Sequence, residues 1–319
     1  MPRVIYSPRY NISLFGLERL HPFDSQKYGR AWRVLRQHFG KSLKQMWVRP
    51  HRPASRGELL LVHSPAYLSK LQDSAYLAKA LEVSVARYLP AWILDWRVLR
   101  PMRWGTAGTI QAARECLKHG LAINLSGGYH HAQPELGEGF SIYADAAIAV
   151  CVLRQEGLLA AESRFAYIDL DAHQGNGVCH CFAQDKQVFI FDMYNGGIYP
   201  WYDIAAKERV DCNLPLMSGC QDAEYLRTLQ QKLPGFLDSV GRSQIGLAIY
   251  NAGTDVFAGD SLGGMNLSAT AILERDLNVV KQLRDRGIPT VMLLSGGYTK
   301  QSYRLVADSV INLVEANNS

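Results

Sequence analysis

The chain has 319 residues, 48% of them hydrophobic and 20% charged, with a formal net charge of +5. That balance suits a chain with a sizeable core and excludes disordered, collagen-like and disulfide-framed classes, since six dispersed cysteines with no CxxC pair read as small buried residues. With no linker, repeat or low-complexity tract, no leader pattern and no apolar run of membrane-spanning length, a single domain over 1–319 is expected. The same features point to a soluble, cytoplasmic protein with a nuclear location left open and no membrane partner.

In chain order, residues 3–7 predict a short strand and 26–39 a helix, with Trp32, Leu35 and Phe39 at helical spacing. Residues 27–56 hold nine Lys/Arg and no Asp/Glu, which leaves the rest of the chain net acidic. A solvated helix face with a basic loop is the plain reading, and a patch for acidic partners the sharper one. No helix-turn-helix or zinc finger accompanies it, so direct nucleic-acid binding is not expected. Residues 65–86 carry helical patterning, 89–104 predict an irregular connection rich in Trp, Arg and Pro, and 105–119 predict a helix ended by Gly120.

Beyond Gly120 come five short apolar runs, at 121–125, 165–168, 188–191, 245–250 and 290–294, separated by helical segments. Runs without alternation are what strands covered on both faces look like, so a mostly parallel sheet layered by helices is expected, with a site at the carboxyl ends of its strands. Four of the runs lead into specific motifs: Ser126-Gly127-Gly128-Tyr129-His130-His131, then Asp169-Leu170-Asp171-Ala172-His173-Gln174-Gly175-Asn176-Gly177, Asn251-Ala252-Gly253-Thr254-Asp255, and Ser295-Gly296-Gly297-Tyr298.

In an extended chain Asp169, Asp171 and His173 would share one face. Two carboxylates and an imidazole from Asp171, His173 and Asp255 suit a mononuclear divalent site with open positions, zinc first, with Fe(II), Co(II) or Mn(II) also compatible. Asp169 then suits an outer acceptor that fixes the tautomer of a nearby histidine. Of His130 and His131, one would act as general base and the other as its electrostatic partner, while Tyr298 offers a proton to a developing oxyanion. Cys179 and Cys181, close by, are not counted as ligands. The set describes hydrolysis of an amide or ester.

These motifs, with His21-Pro22-Phe23-Asp24, Val62-His63-Ser64, Leu99-Arg100-Pro101, Asp192-Met193-Tyr194-Asn195 and Gly259-Asp260-Ser261-Leu262-Gly263-Gly264, resemble the zinc-dependent histone deacetylases, and most closely their class IV branch. The resemblance implies an arginase/deacetylase-like α/β fold, a three-layer αβα arrangement, with zinc on Asp171, His173 and Asp255. It makes His131 the general base and then acid, His130 its partner oriented by Asp169, and Tyr298 the group that polarises the scissile carbonyl. Gly139 and Phe140 would line a substrate tunnel, with Tyr199 opposite, gripping the stem of an acyl-lysine in a protein or peptide. Carbonyls of Asp169, Asp171 and His173, with Asp192 nearby, would hold a structural K+.

Where class I enzymes place an Asp beside the second histidine, this chain has Asn176. An amide orients His131 without stabilising its cation, so slower turnover of plain acetyl-lysine is expected. Class IV resemblance also raises longer fatty-acyl groups. Two other functions compete: a deacetylase of acetylpolyamines or other small amides, and a non-catalytic scaffold that binds acidic partners through 27–56. A binuclear ureohydrolase would need further Asp/His ligands that are not apparent where His130 and His131 stand. Oligomeric state is not legible.

Overall fold

The computed structural model describes residues 1–16, 18, 23–241 and 245–317. His21 and Pro22, half of one family motif, lie outside these residues. Eight strands form one sheet: β1 (Arg3–Ile5), β2 (Trp47–Val48), β3 (Leu121–Asn124), β4 (Arg164–Asp169), β5 (Val188–Asn195), β6 (Cys212–Leu216), β7 (Ile245–Asn251) and β8 (Thr290–Leu293). Their order is β2-β1-β3-β8-β7-β4-β5-β6, and every pairing is parallel.

Alternate residues of each inner strand enter different cores, which makes the sheet the middle of three layers. Ala166, Ile168, Ala248, Tyr250 and Met292 pack with the helices Lys27–Phe39, Asp222–Val240, Ala269–Arg284 and Ser302–Ala316. Phe165, Tyr167, Leu247, Ile249 and Val291 pack with Arg100–His119 and Asp145–Gln155 on the other face. Register sets the strand ends level: Asn124 pairs with Leu293, Leu293 with Asn251, Asn251 with Asp169, and Asp169 with Asp192. The four loops that carry the glycine-rich motifs therefore leave adjacent strands along one rim.

Three expectations change. Residues 89–104 are mainly helical: Ala91–Leu94 runs through a wider turn at Asp95–Leu99 straight into Arg100–His119. Pro101 falls at the start of that last helix, and of the tryptophans that suggested irregularity Trp92 and Trp96 face solvent while Trp104 is buried. Residues 65–86 are broken into Pro65–Lys70 and Ser74–Ala80 because Ser64 and Asp73 cap separate helices, accepting from the N–H of Tyr67 (3.0 Å) and Ala75 (2.8 Å). The basic stretch 27–56 is not one free face, since Lys27 is buried, Arg30 pairs with Asp24, and Arg52 grips Glu58 at 2.6 and 2.9 Å.

His63 ties the layer beneath the rim together. Its Nε2 accepts from the N–H of Ala144 (3.0 Å), which requires the neutral ring, and burial lowers its pKa to about 4. An unfolded histidine titrates near 6.5, so between pH 6.5 and 4 the unfolded chain binds the extra proton. Stability should therefore fall as pH falls through that window, by up to about 3 kcal/mol from this residue. Urea unfolding at pH 7.5 and 4.5 should show His63→Gln, which keeps an acceptor, losing less on acidification than wild type; equal losses would refute the assignment.

Candidate active site

β4 ends at Asp169, so only this residue of the Asp-x-Asp-x-His run lies in extended chain, and Asp171 and His173 sit in the bend beyond it. The side chains still converge because each aspartate folds the backbone onto itself. Asp169 Oδ1 accepts from the N–H of Asp171 (3.1 Å) and Asp171 Oδ1 from that of His173 (3.0 Å).

Asp171, His173 and Asp255 bring their donor atoms within 4.8 Å of one another, all buried. His173 Nδ1 lies 3.1 Å from Asp171 Oδ1 and 3.0 Å from Asp255 Oδ2. Bonds of about 2.0–2.2 Å to one ion would place donors at roughly such separations, so this donor set fits a divalent cation. The remaining carboxylate oxygens are held by backbone: Gly296 N–H donates to Asp171 Oδ2 (2.8 Å) and Ala172 N–H to Asp255 Oδ1 (2.9 Å). Gly253 and Gly296 must be glycine, since a Cβ on either would collide with both carboxylates. Burial, then the charge of Asp171, raises the carboxyl of Asp255 to about 7. Burial opposes but does not prevent the two aspartates from raising His173 to about 10.

The histidine pair is electrostatically split. His130 Nδ1 is 2.9 Å from Asp169 Oδ2; burial lowers its pKa, but Asp169 and Asp171 outweigh that and bring it to about 9. His131 Nδ1 is 2.8 Å from Asn176 Oδ1. An amide oxygen only accepts, so this nitrogen carries a proton and the neutral ring keeps Nε2 bare. Burial, with His130 and His173 adding to it, holds His131 well below the usual range. The backbone that makes adjacent histidines face one cleft turns at Gly127 and Gly128 (φ +82° and +80°), and Asp145 secures it by accepting from the N–H of Gly128 (3.0 Å) and Tyr129 (2.9 Å).

Tyr298 stands across from this pair, its ring centroid 5.9 Å from that of His173. Its phenol is held well above 10 by burial and by Asp255 and Asp171, so it keeps its proton. The turn before it is fixed by Lys27, whose buried ammonium donates to the carbonyls of Ser295 (2.6 Å) and Gly296 (3.0 Å), and by Asp260, which accepts from the Tyr298 N–H (2.7 Å). Tyr199 packs edge-on against His131 (4.9 Å between ring centroids), and Phe140 packs on Phe23 (4.9 Å). Gly139 wedges between His131 and Tyr199, where a Cβ would strike the imidazole. Phe140 helps line a small cavity of about 30 Å³ with both histidines and Tyr298.

Sequence reasoning passed over several contributors. Lys27 was hidden in a charge run. Asn251, the first residue of its motif, donates to Asp169 Oδ1 (2.9 Å) and to Ser295 Oγ (2.9 Å). Glu138 and Asp203 reach His131 through Asn176, a contact that spacing does not signal. Cys179 accepts a hydrogen bond from Gln174, and neither it nor Cys181 joins the metal cluster.

A model of the histone deacetylase domain matches residues 21–314. The chain is 43% identical over 311 residues to histone deacetylase 2 of Arabidopsis thaliana, a match that covers 97% of this chain and 78% of that protein. It is 34% identical over 305 residues to an uncharacterized protein of Picosynechococcus, covering 95% and 94%. A solved HDAC homolog complexed with SAHA superposes with a TM-score of 0.74 at 25% identity, covering 98% of this chain and 83% of the other. The HDA15 HD domain superposes at 0.75 with 20% identity over 98% and 90%, a likeness of fold. The chain belongs to the histone deacetylase family and has its arginase-like α/β fold. It is accordingly a hydrolase of the deacetylase kind, in a family that generally depends on a metal. No helix among the described residues is long and apolar enough to cross a membrane.

Proposed function

We propose that this protein is a zinc-dependent deacylase of N-acyl-lysine side chains in proteins or peptides. The observation that carries the reading is the convergence of a buried Asp171-His173-Asp255 cluster, a hydrogen-bonded histidine pair and a protonated tyrosine on one rim of the sheet. When bound, the cation supplies Lewis acidity to the acyl carbonyl and to the attacking water. His131, with its bare Nε2, takes the proton of that water and returns it to the departing lysine amine. His130, held by Asp169, stays cationic and stabilises charge that develops beside it. Tyr298 donates its hydroxyl proton in a hydrogen bond to the carbonyl oxygen as it becomes an oxyanion. Gly139, Phe140 and Tyr199 form the apolar walls for the lysine stem.

Asn176 supports the class IV reading, because an amide rather than a carboxylate orients His131. A structural K+ beside Asp169 is in keeping with Asp192, whose buried Oδ1 has no hydrogen-bond partner and whose carboxyl is pushed up by burial and by Asp169 in the absence of a cation. An acyl-length series on lysine peptides, with acetylspermidine as the small-amide control, tests the function. Metal-free protein should be inert and regain turnover with one equivalent of Zn2+, and acyl-lysine should be cleaved at higher kcat/KM than acetylspermidine. The reverse preference would move the assignment to small amides, and no turnover of any acyl-amide by zinc-loaded protein would refute a hydrolytic role.

A further inference from the structure

Asn176 does not act on His131 alone. While its Oδ1 accepts from His131, its Nδ2 donates to two carboxylates, Glu138 Oε1 (2.8 Å) and Asp203 Oδ2 (3.0 Å). Both amide N–H groups are thus committed to anions, which fixes the orientation of the amide: flipped, it would turn its oxygen toward two carboxylates and its N–H groups toward the protonated Nδ1. The carboxylates are themselves held. Glu138 Oε1 accepts from Gln133 Nε2 (2.9 Å) and its Oε2 from the Tyr202 hydroxyl (3.1 Å). Asp203 Oδ2 lies 2.9 Å from His180 Nε2, and its Oδ1 caps the helix Ile204–Arg209 by accepting from the N–H of Ala206 (3.1 Å). No lysine or arginine forms an ion pair with either carboxylate among the described residues, so the amide shares Asp203 Oδ2 with His180 alone and meets Glu138 with no basic side chain between them.

We infer that Glu138 and Asp203 are positioning residues that do through Asn176 what a directly bonded carboxylate would do for His131. They lock the amide so that its oxygen meets Nδ1–H. They also polarise it, since an amide whose N–H groups bind anions is a better acceptor at its oxygen. This rests on the reading of His131 as the base in the proposed reaction. It also accounts for why a carboxylate is unsuited to position 176 in this chain. Aspartate there would set a third acceptor against Glu138 and Asp203 at 2.8 and 3.0 Å, with no proton between them.

The test is a set of near-isosteric variants, with folding checked by circular dichroism. N176D alone should lower kcat at least about tenfold, although it installs the carboxylate that class I enzymes use. Adding E138Q and D203N to it should return kcat to within about threefold of wild type, because the network is then inverted, with one carboxylate at the centre and an amide on each side. E138Q/D203N with Asn176 retained should lower kcat about fivefold or more with KM little changed. The inference is overturned if N176D matches or exceeds wild type, or if the two outer substitutions fail to rescue it. A readout independent of turnover is the imidazole 15N spectrum of His131. It should show the Nδ1-protonated tautomer in wild type and a mixture in E138Q/D203N; an unchanged tautomer refutes the inference even if the protein proves to have no deacylase activity, an outcome that would itself refute only the proposed function.

Discussion

Tyr298→Phe is expected to cut kcat by about two to three orders of magnitude while KM changes by less than about threefold. The substitution removes one O–H and leaves the ring, which packs between His173 and Phe23 at centroid distances of 5.9 and 6.0 Å, in place. The hydroxyl is held in its protonated form by burial and by the two aspartates nearby, so in the proposed reaction it would contribute a hydrogen bond that strengthens only as the carbonyl oxygen gains charge. Tyr298 is outside the ligand cluster, so bound zinc should remain stoichiometric. A rate within threefold of wild type, with metal retained, would remove this residue from the reaction.

Asp255→Asn should have the second large effect, and in opposite senses with and without metal. Losing an anionic ligand should weaken zinc binding by at least about a hundredfold and abolish turnover at ordinary metal concentrations. In the metal-free protein the same change should leave the melting temperature equal to wild type or raise it. Asp171 and Asp255 are both fully buried with His173 between them, and burial and the charge of Asp171 already push the Asp255 carboxyl up, so an amide at 255 relieves that cost while keeping an oxygen for the N–H of Ala172. Metal content by atomic emission and melting curves of apo protein check both halves. Full zinc occupancy in the variant would show that Asp255 is not a ligand.

The inner strands were legible because β3, β4, β5, β7 and β8 are covered on both faces and so read as unbroken apolar runs. The edges were not. β2 is two residues long, and β6 alternates in burial and contains Pro215, which an edge strand tolerates and a sequence pattern argues against. At the site, the motif residues could be named from composition and spacing at strand ends. The division of labour between His130 and His131 could not, since it comes from a carboxylate against one and an amide against the other across 39 and 45 residues of chain. Period-two reasoning also overextended β4, because Asp169 and Asp171 bond their own backbone and end the strand.

The buried ammonium of Lys27 joins the first long helix to a turn 268 residues later. That link closes a loop of nearly the whole chain at the turn that carries Tyr298, so the cleft is completed only when this distant segment docks on the first long helix. A chain still lacking residues 295–298 has neither the carbonyls that Lys27 holds nor the Gly296 N–H that donates to Asp171. It also lacks the tyrosine, so one and the same turn delivers Tyr298 and steadies the acidic cluster.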